Sequence, residues 1–149
     1  MVHLEAAAEE AMIADAEKTY PHETCGLLVG NPDGGEVSVR EAHRAENLNR
    51  ERARDRYDLN PKDYLRIERD ARTRGMEVVG FYHSHPDHPA APSVFDRDHA
   101  HPGYAYVIWS VEKGRVVRGT FWDLPDYGHE FEPARCQSQI PGSTISFGR

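Results

Sequence analysis

The chain has 149 residues, 38% hydrophobic and 29% charged, which suits one domain burying roughly 68–70% of its unfolded surface and excludes wholesale disorder. Its 18 Lys plus Arg against 25 Asp plus Glu give a formal charge of -7, which repels a phosphate backbone and argues against a nucleic-acid partner. Cys25 and Cys136 are too few for a disulfide framework, no apolar run approaches a membrane span, and Glu5, Glu9 and Glu10 stand where a secretory signal would be basic and then apolar, so the expectation is a cytoplasmic protein with no membrane partner.

Leu4, Ala7, Ala8, Ala11 and Met12 recur at helical spacing with acidic residues between them, which predicts an amphipathic helix over about the first eighteen residues, stopped at Tyr20-Pro21. Cys25 to Gly30 is an apolar run, Asn31 to Gly35 a turn cluster, and Val37 and Val39 alternate beyond it, so a strand, a turn and a second strand are expected. Residues 45–60 are polar and poorly periodic. Arg50, Arg52, Arg54 and Arg56 in this stretch are interrupted by Glu51 and Asp55 and read as a solvated face. Asn60-Pro61 supplies an N-cap and a first-turn proline for a second helix, with Tyr64, Ile67 and Ala71 on one face and its end at Gly75. Val78, Val79, Phe81 and Tyr82 then predict a strand running directly into His83. Pro86, Pro89 and Pro92 stiffen the next loop, Ser93 to about Ala100 reads as a short helix, and strands follow at 104–110 and 115–123. The order is mixed α/β: one domain over 1–123, then a tail over 124–149 whose prolines and scarce apolar residues predict an extended or partly disordered segment.

His83 and His85 lie two apart at a strand end, so both imidazoles project to one face and can reach one cation. Asp96 follows a loop able to fold back. Two histidines and a carboxylate leave a fourth tetrahedral position for water, as catalytic zinc requires, whereas structural zinc wants four closed ligands. His88, His99, His101, Asp87 and Asp98 are competing ligands that spacing alone does not exclude. Each of those histidines also has a plain reading as a surface or hydrogen-bonded residue. Ser93 with Asp96 three residues on is equally a capping box, and an Asp96 bound to a metal would be less free to reach back to the backbone.

These residues resemble a known family. His83-Ser84-His85-Pro86, then Ser93 and Asp96 after residues 86–92, is similar to the JAMM signature of His-x-His and a downstream Ser-x-x-Asp. Glu23-Thr24-Cys25-Gly26-Leu27-Leu28-Val29-Gly30 resembles the upstream glutamate and Cys-Gly-Leu-Leu type strand of the same JAMM/MPN-plus metallopeptidases. The resemblance spans about residues 3–122 and implies a single JAMM/MPN domain, a deaminase-like mixed sheet flanked by helices, with one zinc per chain. By position it implies that His83, His85 and Asp96 hold the metal, that Glu23 activates water and that Ser93 stabilises an oxyanion. It further implies hydrolysis of a peptide or isopeptide bond after the Gly-Gly tail of a ubiquitin-like or sulfur-carrier protein.

Rival readings are a non-catalytic MPN-type binding module and a DNA-repair-associated JAMM-like protein. The charge of -7 and Ser84, where that branch carries asparagine, oppose the second. A zinc nucleoside deaminase needs His-x-Glu and Pro-Cys-x-x-Cys, both missing here. Cys25 opens an apolar strand and reads as packing rather than as a nucleophile. Zinc suits the ligand set, although iron, cobalt and manganese also accept two imidazoles and a carboxylate.

Overall fold

The computed structural model describes residues 1–127 and 130–146. Its elements run β1 (Val2–Leu4), α1 (Ala6–Thr19), β2 (Cys25–Asp33), β3 (Glu36–Ala45), α2 (Pro61–Thr73), β4 (Glu77–Pro86), α3 (Val94–Asp98), β5 (Ala105–Glu112), β6 (Arg115–Asp123), β7 (Glu132–Ala134), β8 (Cys136–Ser138) and β9 (Ile145–Ser146). The strands form one mixed sheet in the order β7-β6-β5-β4-β2-β3-β1-β8, with β9 also paired to β6. The mixed α/β reading holds, as one large sheet flanked by helices. No helix among the described residues is long and apolar enough to cross a membrane.

The helix predicted from the first residue begins only at Ala6, because Val2–Leu4 lies as a parallel strand beside Val37–Val39. Leu4 satisfies either periodicity, and backbone pairing on both sides, with β3 and with β8, decides for the strand. Strand β2 likewise runs through Asn31, Pro32 and Asp33, so the turn narrows to Gly34 and Gly35, which have φ of 55° and 90°, a left-handed pair that glycine adopts freely.

Helix α1 buries Ala8, Met12 and Ala16 against one face of the sheet, in a cluster with Tyr82, Trp109 and Phe121. Trp109 and Phe121 are fully buried, and a large side chain so buried contributes about 1.5–3 kcal/mol by apolar transfer. Helix α2 starts as expected, with the Asn60 side chain accepting from the Lys62 N–H and Pro61 in its first turn. Ile67 and Ala71 pack with Leu27, Val29 and Val78. Gly26 has a steric reason: a Cβ there would meet the Tyr82 ring at 2.3 Å.

Strands β4 and β5 are parallel, Gly80–Pro86 beside Ala105–Val111, so the chain must cross over between them. That crossover carries the proline loop and α3, and it returns over the C-terminal end of β4, where His83 and His85 emerge. Among the described residues after Leu124, three short strands pair with the sheet, β7 and β9 on β6 and β8 on β1. Ala134 is buried, and Cys136 and Ile145 pack against the α1 cluster, so a tail with few apolar residues places them inward.

Candidate metal centre

Alternation along β4 turns His83 and His85 to the same face as Phe81, which stacks on Tyr64 of α2 with centroids 6.2 Å apart. Both histidines are buried, at 2% and 1% exposure. Their Nε2 atoms are 3.1 Å apart, and Asp96 Oδ2 lies 3.2 Å from the first and 3.1 Å from the second. His85 Nδ1 is 2.8 Å from the Pro89 carbonyl oxygen. A carbonyl only accepts, so Nδ1 carries the hydrogen and Nε2 presents its lone pair to the cluster, the tautomer of a metal-ligating histidine.

The three donor atoms form a near-equilateral triangle of 3.1–3.2 Å edges. Zinc bonds of about 2.0–2.2 Å imply a tetrahedral edge of about 3.3–3.6 Å, within a few tenths of that triangle. The His85 lone pair facing a carboxylate oxygen at 3.1 Å is repulsive unless a positive charge sits between them. The residues therefore fit a divalent cation.

Asp96 reaches the triangle through its place on α3. Ser93 caps that helix, its Oγ accepting from the Asp96 N–H at 3.0 Å, while Asp96 Oδ2 accepts from the Ser93 N–H at 2.9 Å. Capping does not draw Asp96 away from the histidines, because the same Oδ2 that caps the helix also faces both imidazoles. A carboxylate oxygen has two lone pairs, and the capping bond aims the second at the imidazoles. Burial opposes ionisation of Asp96, but positive charge at the His83 and His85 corner, which in the metal-free protein is a proton shared with the carboxylate, holds its carboxyl far below the usual range. Ser93 is exposed, and its hydroxyl hydrogen is not used by the cap.

Glu23 precedes β2 and is 2% exposed. Thr24 N–H donates to Ser84 Oγ at 2.8 Å and Ser84 N–H to the Thr24 carbonyl at 3.2 Å. This buried staple sets Glu23 beside the two histidines. A ligand atom from each of Glu23, His83 and His85 lies within 4.8 Å of the others, a looser set than the triangle with Asp96. Among the described residues Glu23 Oε1 and His83 Nδ1 have no hydrogen-bond partner. Burial pushes the Glu23 carboxyl up to about 8, with the charges of Asp96 and Asp55 adding and His85 opposing.

The competing residues lie elsewhere. His88 stacks on His85 at 4.1 Å and turns Nδ1 to the Pro86 carbonyl, His99 stacks on Phe95, and His101 meets the Tyr127 hydroxyl. Asp87 accepts from the Tyr20 hydroxyl and the Lys113 N–H, and Asp98 is exposed beside Arg97. Cys25 is buried, and burial pushes its thiol well up, which suits packing and not nucleophilic chemistry. Sequence reasoning missed Tyr57, whose ring stacks on His83 with centroids 4.7 Å apart. Its one signal was an aromatic residue in an otherwise polar stretch.

The model of Prok-JAB, prokaryotic homologs of the JAB domain, matches residues 5–125. The chain belongs to this family. It is 40% identical over 98 residues to the desampylase of Haloferax volcanii, covering 65% of this chain and 68% of that protein. It is 32% identical over 124 residues to the CysO-cysteine peptidase of Mycobacterium tuberculosis H37Rv, covering 77% of this chain and 82% of that one. A solution structure from Desulfitobacterium hafniense superposes with a TM-score of 0.81 at 27% identity, over 95% and 94% of the two chains. One from Salinibacter ruber gives 0.69 at 37% identity, over 91% and 90%. In this JAB-type domain, His83, His85, Asp96, Ser93 and Glu23 all fall inside the matched residues.

Burial of Glu23 carries a thermodynamic consequence for the metal-free protein. The unfolded carboxyl ionises near 4.5 and the folded one near 8, so the folded state holds the extra proton and stability falls as pH rises through that window. The cost at pH 7–8 is on the order of 3–5 kcal/mol. Metal-free Glu23→Gln is therefore expected to be more stable than metal-free wild type at pH 8 and no more stable at pH 4. Thermal melts of the chelated proteins across pH check this, and parallel curves would contradict it.

Proposed function

We propose that the chain is a zinc-dependent peptidase hydrolysing the bond after the C-terminal Gly-Gly tail of a ubiquitin-like or sulfur-carrier protein. One zinc per chain would be held by His83, His85 and Asp96. The observation carrying this reading is the triangle of buried donors beside an unpaired buried carboxylate oxygen of Glu23. The names of two relatives, a desampylase and a CysO-cysteine peptidase, supply the substrate class. The free cysteines suit a reducing, cytoplasmic compartment, where we place its work.

Zinc bound there supplies Lewis acidity, polarising a carbonyl and bringing the pKa of a water toward about 7. Glu23 takes the proton of the attacking water and passes it to the leaving amine, a role open to a carboxylate whose oxygen lies beside the two histidines with no other partner. The Ser93 hydroxyl donates to the carbonyl oxygen as it gains charge, while its oxygen stays on the Asp96 N–H. The Pro89 carbonyl keeps His85 in its ligating tautomer.

A groove of about 760 Å³, lined by Tyr57, Tyr64, Phe81, Tyr104 and Tyr106 among others, adjoins the centre through Tyr57. An extended tail entering a strand-lined cleft needs glycine where its backbone passes closest to the reacting group. The test is hydrolysis of carrier proteins extended beyond Gly-Gly, with chelation and zinc re-addition. Cleavage after the second glycine, lost on chelation and restored by zinc, is expected, as is loss of most turnover when either glycine becomes leucine. Unchanged rates with leucine would end the tail-recognition reading, and chelator-resistant cleavage would end the zinc one.

A further inference from the structure

Glu23 has a side-chain oxygen without a partner, so its aim is set by its backbone. That backbone lies outside the sheet, since pairing of β2 begins at Cys25, opposite Ala45 and His83. Beyond the neighbouring staple of Thr24 to Ser84, its own N–H and carbonyl are held by residues 47–59. The Glu23 N–H donates to the Ala53 carbonyl at 2.5 Å, and the Glu23 carbonyl accepts from Asn47 Nδ2 at 3.4 Å.

Asn47 is also what closes that segment into a strap. Its Nδ2 donates to the Arg56 carbonyl at 3.1 Å, and its Oδ1 accepts from the Asn49 N–H at 3.0 Å and the Asp58 N–H at 2.9 Å. All four hydrogen-bonding positions of the carboxamide are spent on backbone groups. A bridge between Asn47 and Leu59, the Leu48 N–H on the Asp58 carbonyl and the Asn60 N–H on the Glu46 carbonyl join the strap's ends. The closed strap then touches the rest of the centre, with Tyr57 stacked on His83 and the Arg56 guanidinium over Phe95 of α3.

We propose that Asn47 is a positioning residue for hydrolysis, folding the 47–59 strap so that it clamps the Glu23 backbone on both sides and aims its carboxylate. This rests on Glu23 acting as the base. Catalytic groups displaced by about 1 Å lose up to roughly 10²-fold, so Asn47→Ala is expected to lower kcat by about 10- to 100-fold with zinc content unchanged and KM within about twofold. Asn47→Asp keeps the two accepted bonds and loses both donated ones. It should hold the strap closed better than alanine yet still lower kcat.

The strap carries Arg50, Arg52, Arg54 and Arg56, so trypsin reads its opening without any turnover assay. Faster cleavage there and loss of amide-exchange protection at Glu23 are expected for Asn47→Ala, while Leu48→Ala, an exposed side chain of the strap, should change neither. In a Glu23→Gln background, Asn47→Ala should cost nothing further in rate. Wild-type kcat in Asn47→Ala or Asn47→Asp, unaltered protection at Glu23 in the alanine variant, or effects that multiply in the double variant would each overturn the proposal. If alanine prevents folding, the aspartate variant decides. Wild-type protein inactive on every carrier adduct would refute the peptidase reading instead, and the trypsin and exchange results would still report whether Asn47 holds the strap on Glu23.

Discussion

Glu23→Gln is expected to lose hydrolysis by roughly 10²–10⁴-fold while keeping its fold and zinc, the range that positioned acid–base catalysis supplies. Glutamine preserves the size of a side chain that is 2% exposed, yet it has no basic oxygen able to take a proton. His85→Ala removes one corner of the donor triangle, leaves Asp96 Oδ2 facing a void, and should lose metal and activity together. Comparing the two separates proton transfer from metal holding. Metal content by elemental analysis and single-turnover rates at saturating zinc are the measurements. Near-normal kcat in zinc-loaded Glu23→Gln would remove Glu23 from the chemistry, and full zinc retention in His85→Ala would remove His85 from the ligand set. The engagement of Asp87 with Tyr20 and Lys113 leaves it poorly placed to substitute as base.

Much of this centre was legible in the sequence because it depends on local order. Two histidines two apart on an apolar strand must share a face, and a serine three before an aspartate at a helix start caps that helix whether or not a metal is near. What periodicity could not supply was the distant partnering. Nothing in residues 45–60 signals that Asn47 folds the segment onto Glu23 or that Tyr57 meets His83, since those contacts depend on a closed loop with neither helical nor strand spacing. Ser84 was legible as a motif residue between two histidines but not as a structural one, since its staple to Thr24 exists because β2 and β4 pair. Leu4 fitted a helix and a strand equally, and the choice depended on β3 and β8, one of them more than 130 residues away in the chain. A metal and a cap looked like competitors for Asp96 because a sequence names a residue and not its lone pairs, while the folded chain shows the capping oxygen also facing both imidazoles.

Removing residues 131–149 is expected to unfold the protein or lower its melting temperature severely, although this segment lies beyond the family match at residue 125. Strands β7 and β8 are separated only by Arg135, whose carbonyl accepts from the Val2 N–H at 2.8 Å, so this short run joins the β6 side of the sheet to β1. Truncation would strip β1 of one neighbour and uncover the apolar cluster around α1. The sharper point is Glu9, a carboxylate of α1 that is 1% exposed and accepts hydroxyl hydrogen bonds from Ser138 and Ser143. A buried charge that loses its partners costs more than the hydrogen bonds themselves were worth. The double variant Ser138→Ala/Ser143→Ala is therefore expected to lose about 2–4 kcal/mol, or about 5–15 °C for a chain of this size. Adding Glu9→Met should recover part of that loss, because the unsatisfied charge goes with it. Thermal and urea melts of the single, double and triple variants decide the matter. A triple variant less stable than the double would mean that Glu9 stabilises the fold through contacts other than the tail serines, and a double variant as stable as wild type would mean that water satisfies the carboxylate once the serines are gone.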